Sequence, residues 1–418
     1  MSTASRSHIR RLALGRFISV TGGAAAYTAL NFTIWHRTHN PWLQALSLLL
    51  TFGVTGMVGP FAGALGDRFD RRKVMIYSEL VAAGFFFVMA LFVSAPLMLI
   101  LFAFGSAVAE SPFWAASRAA TPNLAETPED IAWANSLTGI GWSSGVALGP
   151  VVGGLLLAAV GPSWVFAINA VSFLASVMLT VSVRGRYSDE NTAEEIEEHK
   201  GLTAGMRWLF REPVLRRMVL AWFVFVLGMG MGMVADASLA EYFHAGSVGF
   251  GLLVTCWGAG AVLGNAAGRW LNPRREIQWL VWAALGIGIM ALGIGFSPVF
   301  PFVLVSLLLF GTFDGMSIVA ENGIIQRRTP DAVRSRAIAA FEATLSIGLA
   351  CAYVAAAPLL HLFGPRVMYR IAGVGALSAF VLLVPLLKVA KTVSADPAED
   401  ARTEAGLRHR GSSDTSPS

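Results

Sequence analysis

The chain has 418 residues, of which 55% are hydrophobic and 14% are charged, and its formal net charge is +5. Soluble globular proteins carry about 25% charged residues, so a soluble fold is not expected. The basic residues lie in short loops between apolar runs, an arrangement that orients a membrane protein and does not indicate a nucleic-acid-binding surface. Both cysteines, Cys256 and Cys351, lie inside apolar runs, so neither a disulfide framework nor a cysteine metal site is expected.

The apolar runs are long enough for about twelve membrane-spanning helices of roughly 20 residues each. The first run contains Arg16 and continues past the alanines at 24–26, so we interpret it as a retained helix and not as a cleaved signal peptide. The predicted spans are 14–35, 42–66, 74–94, 97–118, 132–160, 163–183, 214–240, 247–270, 277–296, 299–325, 334–360 and 366–388. The expected fold class is an all-α membrane protein.

The distribution of basic residues predicts the orientation in the membrane. Threading the spans from a cytoplasmic N-terminus leaves only Arg37, Arg366 and Arg370 outside, out of 31 Lys and Arg residues, so both termini are predicted to be cytoplasmic. Four parts of the chain are expected: an N-terminal six-helix bundle at 1–183, a cytoplasmic linker with an amphipathic helix at 184–213, a C-terminal six-helix bundle at 214–390 and a disordered cytoplasmic tail at 391–418.

A charged turn, Gly63 to Lys73, lies between spans two and three and reads GALGDRFDRRK. It is too polar to lie in hydrocarbon, so the chain must turn there at a membrane surface. Its basic side chains predict that this surface is cytoplasmic.

The two halves of the chain resemble each other. Segments 104–122 and 310–330 both begin with Phe-Gly and end with Thr-Pro, and a Gly-Pro pair precedes both span six and span twelve, at 161–162 and 364–365. Two six-span repeats in parallel orientation are typical of secondary transporters, which bind substrate between the repeats near the membrane midplane.

The charged turn resembles a motif that major facilitator superfamily transporters carry between spans two and three, with its residues at Gly63, Asp67, Arg68, Arg71 and Arg72. It departs from the broad pattern at Asp70, where that pattern has glycine. Together with segments 118–135 and 205–217, it resembles the drug and proton antiporter branch of the transmembrane secretion effector type, which includes macrolide and enterobactin exporters. The resemblance covers nearly the whole chain except the tail. It implies twelve helices in two pseudo-symmetric six-helix repeats.

The resemblance also implies a conformational switch. In the superfamily, the motif aspartate and arginines latch the two halves together in the outward-facing state, and Asp67 would engage the N-terminal end of span eleven. A helix N-terminus carries partial positive charge that stabilises a carboxylate. Glu342, near the inner end of span eleven, is predicted to contribute to the same gate. The alternative is a solvated basic turn that only sets the topology.

Span five carries a stripe of small residues, because Gly145, Gly149 and Gly153 recur every fourth position with Pro150 and Gly154 beside them. Such a stripe predicts close helix packing. The same residues resemble the antiporter motif GxxxGPxxGG of drug exporters, which implies export and not import.

Three carboxylates inside predicted spans are candidates for the transport site, since an ionisable group near midplane costs about 2.5–3.5 kcal/mol or more without a polar partner. Asp314 lies near the middle of span ten, Glu321 follows two turns later on the same face, and Glu110 lies at a similar depth in span four. The resemblance implies that spans one, four, seven and ten line a central cavity, which the three acids would share and where desolvation would favour proton uptake near neutral pH. The alternative is that each acid pairs with a helix-end arginine such as Arg118 or Arg327.

Further candidates are less specific. Asp236 lies near the outer end of span seven, where an entrance role and plain solvation are both open. Asn31 in span one is assigned to the same cavity. Phe113 and Trp114 are candidates for an aromatic wall around a bulky apolar substrate, with interface anchoring as the alternative.

The sequence therefore predicts a secondary active transporter that exports a hydrophobic or amphiphilic small molecule, a drug or a secondary metabolite, by proton antiport and alternating access. The alternatives are an importer or facilitator with the same fold, and a receptor or assembly factor without transport. No enzyme activity, metal site or cofactor is expected, since no GxxxxGK[ST] or HxxxH pattern is present. The expected partners are a small-molecule substrate, protons and the lipid bilayer, with no nucleic acid. A monomer in the plasma membrane, the bacterial inner membrane, is predicted.

Overall fold

The described parts of the chain are mostly long helices. The computed structural model describes residues 3–54, 69–123, 128–183, 187, 202–272 and 275–388. The helices are α1 Thr3–Thr38, α2 Pro41–Leu48 with a π-helical continuation Leu49–Val54, α3 Arg71–Leu91, α4 Pro96–Asn123, α5 Pro128–Val160, α6 Pro162–Ser182, α7 Leu202–Arg211, α8 Pro213–Tyr242, α9 Gly246–Ala267 followed by a 3-10 turn Gly268–Trp270, α10 Glu276–Phe296, α11 Phe300–Arg328, α12 Asp331–Phe363 and α13 Pro365–Leu383.

Ten of the described helices contain a stretch long and apolar enough to cross a membrane. They are α3 to α6 and α8 to α13, and they coincide with predicted spans three to twelve. Predicted span one lies within α1, which has 36 residues but is not one of the ten. The described part of span two ends at Val54, so the rest of that prediction, through residue 66, lies outside the described residues. The chain is an all-α, multi-pass membrane protein, and ten of its twelve predicted spans are matched.

The helices form two packed groups, here called the N half (α1 to α6) and the C half (α8 to α13). The core of the N half comes from α1, α3, α4 and α6, and that of the C half from α8 and α10 to α13. Helices α5 and α9 pack against each other and join the halves. The groove between the halves is therefore bounded by α1 and α4 on one side and by α8 and α11 on the other.

Equivalent helices of the two halves begin in the same way. Gly161 (φ +80°) precedes α6 and Gly364 (φ +74°) precedes α13, and a proline follows each glycine at the first helical position. Left-handed backbone favours glycine, and proline suits the first turn of a helix. The predicted internal repeat thus corresponds to a repeated local structure.

Helix α7 lies within the segment predicted as a linker, 184–213, and packs on the C half. Leu209 is fully buried, and Trp208 Nε1 donates to the Arg328 backbone oxygen at 3.2 Å. Glu212 caps the next helix by accepting from Leu215 N at 2.6 Å. Helix α7 is thereby fixed to the C half through Leu209 and Trp208.

Candidate transport cavity and the contacts between the two halves

A cavity of about 550 Å³ lies between the two halves. Helices α1, α4, α8 and α11 all contribute to its wall, as do α5, α9 and α13. Most lining side chains are apolar, and the acidic residues that line it are Glu110 from the N half and Asp236 from the C half. No Lys, Arg or His is found among the described residues that line it. The cavity therefore combines an apolar wall with one carboxyl group from each half.

Glu110 faces the cavity from the middle of α4. Ser106, one turn earlier, donates its hydroxyl to Glu110 Oε1 at 3.0 Å, and both residues line the cavity with Trp114. The Arg16 guanidinium stacks over the Trp114 ring at 4.7 Å and donates to Ser117 Oγ at 3.2 Å. The structure thus places Glu110 and Trp114 at the cavity wall.

Asp236 also lines the cavity, on α8. The Tyr369 hydroxyl of α13 donates to Asp236 Oδ1, and Tyr27 of α1 lines the cavity near it. Tyr27 makes an edge-to-face contact with Phe52 at 5.6 Å between ring centroids. Sequence reasoning missed both tyrosines, because a lone tyrosine in a span carries no spacing signal.

Asp314 and Glu321 do not line the cavity, which corrects the prediction that three carboxylates share it. Both are buried on α11, 6% and 8% exposed. Asp314 lies near Trp257 of α9, whose side chain lines the cavity and whose indole nitrogen makes no well-formed hydrogen bond within the described residues. The indole nitrogen of Trp222 on α8 donates to Glu321 Oε2. The two acids do share one face of α11, but that face packs against tryptophans of neighbouring helices.

Two other predicted cavity residues are buried within the N half. Phe113 is 5% exposed and stacks edge-on against Trp114 at 5.7 Å. Asn31 donates to the Tyr27 backbone oxygen at 3.0 Å and accepts from Gln44 Nε2 at 3.0 Å. These contacts place Phe113 and Asn31 behind the cavity wall, where they position Trp114 and Tyr27.

The helix-end arginines of α11 pair with other acids than those predicted. Arg327 forms an ion pair with Glu276 at the start of α10, and Arg328 bonds Glu212 at 2.9 Å. Asp314 and Glu321 therefore do not depend on Arg327.

The small residues of α5 pack on two neighbours. A Cβ on Gly145 would lie 2.8 Å from Val20 Cγ1, one on Gly149 would lie 2.8 Å from Thr21 O, and one on Gly153 would lie 2.5 Å from Ala25 O, all on α1. On the other face, a Cβ on Gly154 would lie 2.6 Å from the Ser247 backbone oxygen of α9. Pro150 meets α9 as well, since its oxygen is the nearest atom to a Cβ built on Gly251. The stripe therefore holds α5 to α1 and, across the halves, to α9.

The halves also meet at the end of the bundle where α1 and α8 finish, here called the Glu241 end. Glu241 Oε2 accepts from Trp35 Nε1 at 2.8 Å, and Glu241 Oε1 lies 2.7 Å from His36 Nδ1. His39 Nε2 lies 3.2 Å from Glu241 Oε2. One carboxylate of the C half thus receives three groups of the N half.

Part of the predicted switch lies outside the described residues, namely Gly63, Asp67 and Arg68. Arg71 begins α3 and lies 3.5 Å from the Tyr187 backbone oxygen. Arg72 donates to Val181 O at 2.6 Å, and its guanidinium lies 5.9 Å from the Tyr187 ring. Burial raises the pKa of the Tyr187 phenol to about 12, with Arg72 opposing the shift and Asp70 reinforcing it. Glu342 is exposed on α12.

No group of three or more His, Cys, Asp and Glu residues within the described ranges could hold a metal ion. Cys256 and Cys351 are free thiols.

The chain is similar to known transport proteins. A family model described as transmembrane secretion effector matches residues 56–357. The enterobactin exporter EntS of Shigella boydii serotype 4 (strain Sb227) is 26% identical over 390 residues, which are 90% of this chain and 91% of that protein. A crystal structure of the nucleoside transporter NupG has a TM-score of 0.69 at 12% identity, covering 91% of this chain and 99% of that one. An inward-facing bacterial homologue of the iron transporter ferroportin has a TM-score of 0.67 at 16% identity, with 92% and 99% covered. The likeness to these structures shows the fold.

Proposed function

Because this chain belongs to the transmembrane secretion effector family of the major facilitator superfamily and is a membrane efflux transporter, we propose that it exports a neutral or cationic amphiphilic small molecule in exchange for protons. The enterobactin exporter is named for its ligand, and we take from that relative the direction of transport only. The membrane is the plasma membrane, with both termini cytoplasmic and the Glu241 end outside.

The observation that supports this proposal is the composition of the cavity between the halves. Its apolar wall suits a hydrophobic body, because burying apolar surface favours binding. Its acidic side chains, Glu110 and Asp236, suit a hydroxyl, an amide or an amine on the ligand. An anionic ligand would meet two carboxyl groups and no described basic side chain, so we exclude it from the proposed substrate class.

Antiport follows if proton and ligand compete for the same groups. A carboxyl group in an apolar cavity cannot stay charged without a partner at low cost. It therefore holds either a proton or a ligand cation or donor. Asp236 is the better candidate for this exchange, since Tyr369 already orients its Oδ1. Asp314 and Glu321 remain candidates for a second proton step within the C half.

Alternating access requires the two halves to rock against each other. The close backbone contact of Gly153 with α1 would keep α5 fixed to the N half during that motion, and the contact of Gly154 with α9 lies where the two halves would move against each other. Release of Glu241 from Trp35, His36 and His39 would open the outer end, and the Gly63–Arg72 turn with Glu342 would act as the inner switch.

Proteoliposomes loaded with a pH indicator test the proposal. A panel of neutral, cationic and anionic amphiphiles is added to liposomes with wild-type protein, Asp236→Asn, or Asp414→Asn as the matched control in the polar C-terminal stretch. We expect at least one neutral or cationic compound to drive proton flux opposite to its own movement. Asp236→Asn should lose that coupling, and Asp414→Asn should keep it.

Two results would contradict the proposal. Compound movement without proton flux in wild-type protein would make the chain a facilitator, and proton flux in the same direction as the compound would make it an importer or symporter. Asp314→Asn, measured in parallel, shows whether the proton-exchanging carboxyl group lies in the cavity or behind Trp257. If it alone abolishes coupling, Asp236 is not the exchange site.

A further inference from the structure

A line of buried polar side chains runs through the interior of the N half and reaches the cavity wall at Ser19. Glu79 of α3 meets Ser19 of α1 and Ser176 of α6, and Ser172 and Asn169 continue the line along α6. We call these five residues the polar seam. Helix α1 approaches it so closely at Gly22 that an added Cβ would be 2.5 Å from Asn169 Oδ1.

The Glu79 carboxyl group is the unusual member of the seam. Its side chain is 0% exposed, and within the described part of the chain neither of its oxygens receives a well-formed hydrogen bond. The nearby hydroxyls of Ser19 and Ser176 are its polar neighbours. An unpaired carboxylate inside a membrane protein is costly, and buried ionisable groups in spans most often serve a functional role.

The charges around Glu79 do not neutralise it. From α4, the acid Glu110 acts on it with like sign. From α1, the nearest basic residue along the helix is Arg16, whose guanidinium is held on α4 by Trp114. Helix α6 contains no ionisable side chain. Among the described residues the group therefore has no basic partner, and a cation from solution would neutralise it.

Ser19 connects Glu79 to solvent. Its hydroxyl neighbours the Glu79 carboxyl group, and the same residue lines the cavity together with Glu110. A hydroxyl both donates and accepts hydrogen bonds, so it can pass a proton from one side to the other. Hard metal cations are held by several oxygen ligands, whereas a proton needs only one carboxylate oxygen.

We propose that the Glu79 carboxyl group is a proton-binding site of the N half, loaded from the central cavity through the Ser19 hydroxyl. Binding converts the carboxylate and one proton into the neutral acid, and release reverses this step with no other reactant. A contribution of this site to antiport rests on the proposed function, whereas proton binding at Glu79 is independent of that function.

Infrared difference spectroscopy on the purified full-length protein tests the occupancy, by comparing spectra recorded at high and low pH. We expect a carbonyl band of a buried protonated carboxylic acid in the wild type. This band should be lost in Glu79→Gln and kept in Glu404→Gln, a matched control in the polar C-terminal stretch. A band that is unchanged in Glu79→Gln would overturn the proposal. A band that disappears when NaCl is added at constant pH would assign the site to a sodium ion and would also overturn it.

Two further measurements keep the test decisive. Ser19→Ala should retain the Glu79 band but slow its response to a pH step. This variant keeps the proposal testable if Glu79→Gln does not fold. An unchanged response would refute the route through Ser19. In proteoliposomes, Glu79→Gln should lose accumulation driven by a pH gradient while retaining substrate–substrate exchange. If wild-type protein transports nothing, the proposed function fails while the infrared result still decides the proton site.

Discussion

Helices α6 and α13 are equivalent in the two halves, yet they bury different side chains. Counted from their shared Gly-Pro start, α6 has Asn169, Ser172, Ser176 and Thr180 where α13 has Ala372, Gly375, Ala379 and Leu383. The four polar residues are 1% to 9% exposed, and Ala379 and Leu383 are fully buried. Similar helices thus enclose a polar interior in one half and an apolar interior in the other.

Helices α3 and α10 show the same contrast. Each has 21 residues, and aligning their ends places Glu79 opposite Ala284, which lies in the apolar core of the C half at 1% exposure. The buried acids of the C half are Asp314 and Glu321 on α11, each beside a tryptophan, and Glu276 at the first position of α10, which pairs with Arg327. The two halves therefore share a backbone arrangement but not the positions of their ionisable groups. Proton binding and release can differ between the halves.

Ala284→Glu should have the largest effect, because it places the Glu79 side chain into the apolar half. Without the serines of the polar seam, the new carboxyl group has no polar neighbour in that core, and its burial should cost about 2.5–3.5 kcal/mol or more. We expect a sharply lower thermal unfolding midpoint and a lower yield of folded protein in detergent. Ala284→Leu controls for added volume. A midpoint equal to wild type would mean that the C half tolerates charge as the N half does.

Much of this architecture could be predicted from the sequence, since ten spans follow from hydropathy and the repeat from the paired Gly-Pro turns. The rotation of each helix about its axis could not. Asp314 and Glu321 share a face because they are seven residues apart, but nothing in their spacing shows that this face meets tryptophans and not the cavity. Asp236 was predicted near an outer helix end, and only packing against α13 places it beside Tyr369.

The sequence does contain a pattern that indicates Glu79 as a buried acid. The polar residues 169, 172, 176 and 180 recur at helical spacing in a span that is otherwise apolar. Such a stripe predicts a polar interior face, and the acid in a neighbouring span is then the natural partner. The cavity helices that the resemblance implies are spans one, four, seven and ten, and α3 is not one of them.

Replacing a buried acid by leucine should change the unfolding midpoint differently in the two halves. Both changes should be smaller than that caused by Ala284→Glu. Glu321→Leu removes the acceptor of the Trp222 indole and leaves a buried N–H unpaired, which costs about 1–3 kcal/mol. Glu79→Leu removes no well-formed hydrogen bond, so its unfolding midpoint should equal or exceed that of the wild type. Thermal unfolding of both variants in the same detergent provides the measurement. A lower midpoint for Glu79→Leu than for Glu321→Leu would show that the serines stabilise Glu79 more than their geometry indicates.

Gly153→Val tests a contact that the N half makes with backbone alone. The added side chain would collide with Ala25 O, and overpacking of this kind costs about 1–3 kcal/mol. Gly139→Val on the same helix is the matched control, because a Cβ there meets nothing within 4 Å. We expect a reduced midpoint for the first variant only, and equal midpoints would show that α1 can shift away from α5.

The smallest expected effect concerns how the paired helices α3 and α10 begin. Asp70 caps α3 by accepting from Lys73 N at 2.9 Å, whereas Arg275 at the start of α10 makes no side-chain cap bond. Loss of an N-cap to alanine costs about 1 kcal/mol, but to glycine only a few tenths. We therefore expect Asp70→Ala to lower the midpoint slightly and Asp70→Gly, which restores the residue of the broad superfamily pattern, to leave it nearly unchanged. Arg275→Ala should be neutral or slightly stabilising, since a positive charge at a helix N-terminus is unfavourable. If Asp70→Gly instead impairs transport while its midpoint is kept, the Asp70 carboxylate acts in the switch and not only as a cap.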